Sequence, residues 1–229
     1  YLARNIPADQ ILRLNSSGST GEPFTYYINP EAFSMNYACA LRGWYWMGYR
    51  LGDTFAKLSQ NPRTGFKKKL QDKVIRCQYL FIRDLTPENL SEVIQVLNQK
   101  QPEFIRCYPD PLVFLSNEIL KGKKLFYTPK AINTTGNILT PDARKKIEKA
   151  FGAPVYDAYS CEASAQFFEG PDRNSYFASM EYAITEVIDN SGNPSGTGRH
   201  ITTDLWNLAM PFIRYDTQDI IEKSMNKHN

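Results

Sequence analysis

The chain has 229 residues, of which 42% are apolar and 13% aromatic, with a formal net charge of +3. That much apolar material buries a sizeable core and excludes a chain disordered throughout. The charge excess is small and scattered, giving no basis for a nucleic-acid binder, and no apolar run is long enough for a membrane-spanning helix.

In chain order, "ILRL" (11–14) predicts a short strand running into the stretch "SSGSTGE", and "FTYYI" (24–28) a strand leaving it. Asn29-Pro30-Glu31 reads as an N-cap, a first-turn proline and an acid matched to the helix dipole. Phe33, Tyr37, Ala40, Leu41, Trp44 and Met47 follow at helical spacing, as a core-facing stripe ending near Gly48. The basic run Lys67-Lys68-Lys69, behind Arg63 and beside Pro62, Gly65 and Asp72, reads as a solvated loop. Thr86-Pro87-Glu88 opens a helix with Leu90, Val93, Ile94 and Leu97 on one face. "EFIRCYP" predicts a strand, and Pro111 to Leu120 a helix with Gly122 past its end. "KAINTTG" predicts a strand and loop. Thr140-Pro141-Asp142 opens a helix stopped by Gly152, and "PVYDAY" is again a strand. After about residue 180 the pattern turns to strands and turns: "ITEVID", Asn190-Ser191-Gly192, "RHITTDL" and "PFIRYDT".

Alternation of this kind argues for an α/β fold, a mostly parallel sheet with flanking helices. The expected division is a core over 1–178 and a small β-rich subdomain over 179–229. Loops 16–22, 133–137 and 157–162 then fall beyond strand carboxyl ends, where open α/β sheets bind ligands. In Ser16-Ser17-Gly18-Ser19-Thr20-Gly21, glycines let backbone N–H groups turn toward an anion and hydroxyls add donors. The Gly-Lys-Ser/Thr end of a Walker loop is absent, and taken alone the stretch serves equally well as a plain loop. The cysteines at 39, 77, 107 and 161 form no CxxC pair, so reduced thiols in a cytoplasmic protein are expected. His200 and His228, the only histidines, sit in no nucleophile setting, which weakens a Ser-His-Asp hydrolase.

With the Ser/Gly loop, "YDAYSCE" (156–162) and "MPFIRYDTQD" (210–219) resemble three ordered signatures of the adenylate-forming, acyl-CoA synthetase-like superfamily. The likeness is greatest to the phenylacetate–CoA ligase branch and its relatives from capsule-polysaccharide gene sets, and spans residues 11 to 220. The resemblance implies the large N-terminal-type domain of such an enzyme. Ser16, Ser17, Gly18, Ser19, Thr20 and Gly21 would grip the β- and γ-phosphates of ATP. Thr135, Gly136 and Asn137 fall where relatives line the adenine, Asp157 where its amino group is bound, and Tyr159 where a ring stacks on the base. Glu162 matches the catalytic carboxylate that holds Mg²⁺, and Asp219 the aspartate that accepts both ribose hydroxyls.

The departures are specific. Glu162 lies three residues after Tyr159 where relatives have four; Ser160 replaces a glycine and Cys161 a hydroxyl residue; Asn137 replaces a glutamate and Gln218 a glycine; Glu22 is acidic where many relatives are basic. Competing readings have Asp219 paired with Arg214 or Arg199 on the surface, Glu162 facing solvent, Tyr159 packing in the core, and Cys161 as a nucleophile.

The implied reaction is attack of a substrate carboxylate on the α-phosphorus of ATP. An acyl-adenylate and pyrophosphate result, and a thiol, most often that of coenzyme A, then displaces AMP. The partners expected are a small carboxylic acid, ATP and coenzyme A, with neither nucleic acid nor a membrane span. Trp44, Trp46, Tyr108 and Phe114 would line an aryl pocket or simply pack the core, and a sugar-linked or amino acid substrate stands equally open. The N-terminal edge reads as truncated and the C-terminal domain of the family as absent, so a fragment would bind ATP with poor turnover. Two other classes compete: a non-catalytic nucleotide-binding module, and a sugar- or lipid-modifying transferase with the Ser/Gly loop as a plain turn.

Overall fold

A computed structural model describes residues 2–15, 24–161 and 165–224. A 3-10 turn, Ala8–Gln10, precedes β1 (Leu12–Asn15), β2 (Thr25–Ile28), α1 (Pro30–Trp46), β3 (Phe55–Ser59) and α2 (Phe66–Val74). Next come β4 (Cys77–Phe81), α3 (Pro87–Lys100), β5 (Phe104–Cys107), α4 (Pro109–Leu120), β6 (Ala131–Thr135) and α5 (Pro141–Phe151). The chain continues through β7 (Val155–Cys161), β8 (Ala165–Glu169), β9 (Tyr176–Ala178), β10 (Ala183–Ile188), β11 (Thr197–Asp204) and β12 (Tyr215–Glu222). Residues 44–158 form one compact unit, and the chain up to 43 together with that from 159 onward forms a second. The pattern change near residue 178 falls inside the second, between β9 and β10.

In the first unit, parallel strands lie in the order β4-β3-β5-β6-β7. A parallel sheet needs crossovers on its faces, and helices supply them. α3 starts where Thr86 accepts the Asn89 N–H, and buries Leu90, Val93, Ile94 and Leu97 on one face. α5 repeats the device, with Thr140 accepting the Ala143 N–H and Gly152 closing the helix at φ +67°. These helices and α4 bury Leu112, Leu115, Ile147 and Phe151 with Ile105 and Ile132 of the sheet in one apolar cluster. The expected α/β class with its mostly parallel sheet is what the structure shows.

The run Lys67-Lys68-Lys69 is helical, not a loop. α2 carries it with every residue exposed except Asp72, so no apolar face announces the helix in sequence. β3 and β4 were not expected either. Phe55–Ser59 is buried at four of five positions, so the two-residue alternation that marks a half-buried strand is missing.

The second unit is antiparallel. β1 pairs with β2, β8 with β9, and β10-β11-β12 form a three-stranded sheet. Of the expected stripe, Trp44 and Met47 are buried and Phe33 and Tyr37 are exposed; the α1 segment here buries Ala32, Cys39 and Gly43 instead. Gly43 lies on that buried face. The Phe168 ring fills the space a Cβ would take, drawing that face of the helix inward. Asn29 does not act as a side-chain N-cap: its Nδ2 donates to Glu31 Oε2 at 2.8 Å and its Oδ1 accepts the Leu208 N–H at 3.0 Å. "PFIRYDT" is strand only from Tyr215 onward, after Arg214 turns through φ +49°.

Candidate nucleotide site

Four expected nucleotide-binding residues lie in the parallel unit. Thr135 ends β6, and it lines a cavity of about 250 Å³ at the carboxyl ends of β3, β5 and β6. Gly136 turns at φ +88° beneath the Tyr108 ring, so a Cβ there would be both strained and in collision. Asn137 donates to Asp110 Oδ2 at 2.8 Å, in the first turn of α4. Asp157 pairs in register with Thr134 of the neighbouring strand and accepts its hydroxyl proton through Oδ1. The carboxylate is buried, with 7% of its surface exposed.

Tyr159 and Asp219 belong to the antiparallel unit, where a bulge brings them together. Opposite β11, register runs from Arg199↔Ile220 to Ile201↔Asp216, so Thr217, Gln218 and Asp219 face His200 alone. Bulges re-aim side chains in this way. Gln218, standing where relatives have glycine, takes φ +65° to make the turn, and the Thr217 hydroxyl accepts the Asp219 N–H at 3.2 Å. The exposed Asp219 carboxylate then accepts the Tyr159 hydroxyl proton through Oδ2 at 2.6 Å. Neither Arg199 nor Arg214 holds it, because they pair with Asp216 and Glu186.

His200 completes the arrangement, and no sequence signal marked it. It is fully buried, its Nδ1 lies 3.3 Å from the Tyr159 hydroxyl, and its Nε2 has no partner among the described residues. The single phenol proton goes to Asp219, so the tautomer that fits is Nδ1–H donating to the phenol oxygen. Burial holds the imidazole below its ordinary pKa, in the neutral form. Burial and the adjacent Asp219 carboxylate push the Tyr159 hydroxyl well above the usual phenol range, so it stays a donor. One face of the Tyr159 ring stacks on Phe167, 5.3 Å between centroids at 26°.

Ser16, Ser17, Gly18, Ser19, Thr20, Gly21 and Glu162 lie outside the described residues. Cys161 ends β7 half-buried. Lys57 of β3 and Arg106 of β5, which line the cavity beside Thr135, were also missed; a lone cation within a short apolar strand is the signal that marks each.

The class of fold follows from solved structures. The chain is similar to 2-hydroxyisobutyryl-CoA ligase, solved in an open conformation with 2-HIB-AMP and CoA, at a TM-score of 0.72 and 21% identity over 94% of this chain and 49% of that one. It is also similar to the amide bond synthetase McbA from Marinactinospora thermotolerans, at 0.62 and 16% over 90% and 42%. The fold is thus that of the adenylate-forming ligases its motifs resemble. Among curated proteins, Protein CapK of Staphylococcus aureus is 25% identical over 222 residues, covering 93% of this chain and 48% of the relative. That likeness fits the capsule-polysaccharide branch. No family model matches the chain. The chain spans about half the length of these relatives.

Proposed function

We propose that the chain carries the AMP-binding core of an ATP-dependent acid–thiol ligase, one that adenylates a carboxylic acid in the manner of a phenylacetate–CoA ligase and passes the acyl group to coenzyme A. The observation that carries this reading is the bulge of β12, which holds Asp219 out to solvent while Tyr159 occupies only one of its oxygens. A carboxylate so placed accepts ribose hydroxyls with its remaining lone pairs. Asp157, Thr135, Gly136 and Asn137 take the adenine, Tyr159 offers its ring to the base, and Ser16 to Gly21 take the phosphates.

Among the described residues no three His, Cys, Asp or Glu side chains group to hold a metal. Mg²⁺ bound with ATP needs only one or two carboxylates beside the phosphates. That donor set suits Glu162, and the ion would neutralise phosphate charge. The remaining work of these residues is positioning, since the attacking carboxylate is already ionised at neutral pH. No helix among the described residues is long and apolar enough to cross a membrane. The four cysteines are free thiols.

The test is calorimetric titration with ATP and Mg²⁺, beside Asp219→Ala. Binding is expected in the wild type and weakened by about 1.5–3 kcal/mol in the variant, as for a charge-assisted hydrogen bond. Equal binding by both removes Asp219 from the site. The shortened spacing from Tyr159 to Glu162 supports a second reading, a nucleotide-binding module without turnover. ATP binding with no acid-dependent pyrophosphate exchange is its signature.

A further inference from the structure

His200 reaches Asp219 by two routes, one from its ring and one from its backbone. From the ring, Nδ1 lies 3.3 Å from the Tyr159 oxygen, and the Tyr159 hydroxyl donates to Asp219 Oδ2 at 2.6 Å. From the backbone, the His200 carbonyl accepts the Thr217 hydroxyl at 3.1 Å, and the Thr217 oxygen accepts the Asp219 N–H at 3.2 Å. The amide and the carboxylate of Asp219 are thus both tied, through one intermediary each, to a single fully buried residue. The bulge makes this possible, because it sets Thr217, Gln218 and Asp219 opposite His200.

The ring route is directional. A phenol carries one proton, and its oxygen accepts as well. A carboxylate outbids an imidazole nitrogen for that proton, since hydrogen bonds to ionised acceptors are the stronger ones. Nδ1–H must then donate to the phenol oxygen, which keeps the hydroxyl from turning back toward the ring. A bare Nδ1 would compete with Asp219 for the proton and loosen the carboxylate. Packing holds the same geometry. Tyr159 stacks on Phe167, and His200 meets both rings, 5.8 Å and 65° from Tyr159 and 5.2 Å and 48° from Phe167.

We infer that His200 is a positioning residue of the nucleotide site. Acting through Tyr159, it fixes the Asp219 carboxylate for the hydroxyls of a ribose. It thereby sets the margin by which a ribonucleotide is preferred over a deoxynucleotide. Being fully buried, His200 touches no ligand itself. A carboxylate held by its own amide and by a phenol proton loses little freedom on meeting two hydroxyls, whereas a swinging one loses more and discriminates less. The inference rests on the AMP-binding reading for the ribose, and on the geometry alone for the coupling.

The first measurement needs no variant. Nitrogen NMR of the labelled chain at neutral pH is expected to show His200 with Nδ1 protonated and Nε2 bare, the signals being assigned by their loss in His200→Asn. An Nε2–H tautomer overturns the inference and leaves nucleotide binding standing. Calorimetry then compares ATP, 2′-deoxy-ATP and 3′-deoxy-ATP, each with Mg²⁺, on the wild type, His200→Leu and His200→Asn. Asparagine keeps an N–H donor where Nδ1 stands, and leucine does not. The wild type is expected to prefer ATP over each deoxy form by about tenfold or more, as for one hydrogen bond to a charged group. His200→Leu should cut that margin to about twofold, and His200→Asn should restore most of it. Equal weakening of all three nucleotides by leucine, with the margin kept, marks a merely structural residue and overturns the inference. So does loss of the margin in a folded His200→Asn, which decides the matter even where leucine unfolds the chain. A folded wild type with the Nδ1–H tautomer that binds none of the three overturns the AMP-binding reading, and the ribose part of the inference with it.

Discussion

The two compact units handle polar side chains in opposite ways. In the antiparallel unit, His200, Tyr159 and Asp219 form a neutral-to-acidic hydrogen-bonded series in which each member orients the next. In the parallel unit, Lys57 and Arg106 stand together with no carboxylate lining their cavity. The first arrangement leaves two positions open among the described residues, the outer oxygen of Asp219 and Nε2 of His200. A hydrogen-bonded series of this kind fixes the position of its members.

The largest test of this contrast is in the apolar support of the parallel unit. Leu112 is fully buried beneath the sheet, and Leu112→Ala is expected to cost about 2–5 kcal/mol in denaturant unfolding. A loss under about 1 kcal/mol would mean that the cavity residues rest on a looser base than described. Next in size, Tyr159→Phe removes the proton shared with Asp219 and leaves His200 Nδ1 without its contact. About 1–3 kcal/mol of stability should go with it, along with part of the ATP affinity. Unchanged values for both would dissolve the series into separate contacts.

Gln218→Gly should act in the other direction. At φ +65° the glutamine pays a left-handed penalty that glycine avoids, so a gain of roughly 1 kcal/mol is expected, with the thermal midpoint as readout. A loss would show that the glutamine side chain, not the backbone, holds the bulge.

The smallest effect concerns pH. The His200 pKa is lowered in the fold, so between the folded value and the ordinary value near 6.5 the unfolded chain binds more protons. Stability is therefore full above about pH 6.5 and is lost as pH falls through the folded value. His200→Gln should flatten that part of the melting profile. A midpoint that rises on acidification from pH 7 would contradict a neutral buried imidazole.

Much of the parallel unit was legible because its signals are local. Thr86 and Thr140, each followed by proline and an acid, marked helix starts, and Leu90, Val93, Ile94 and Leu97 marked a buried face by spacing alone. The stripe on α1 held at Trp44 and failed at Phe33 and Tyr37, because the buried face there includes Gly43, whose place is decided by a ring 125 residues away, Phe168, which no local window contains. α2 failed because a helix with one buried residue has no amphipathic pattern to read. Of the candidate site, Asp157, Tyr159 and Asp219 stood in their motifs, while His200 and Lys57 gained meaning only from neighbours on other strands.

By itself, then, the sequence determined the α/β alternation, the helix termini and the set of polar residues at strand ends, since caps, prolines and periodicity act over a few residues. Only the tertiary structure decided that Asp219 meets Tyr159 rather than an arginine, and that Lys57 stands beside Arg106. Strand register and a bulge set those pairings, and both depend on contacts between segments far apart in the chain.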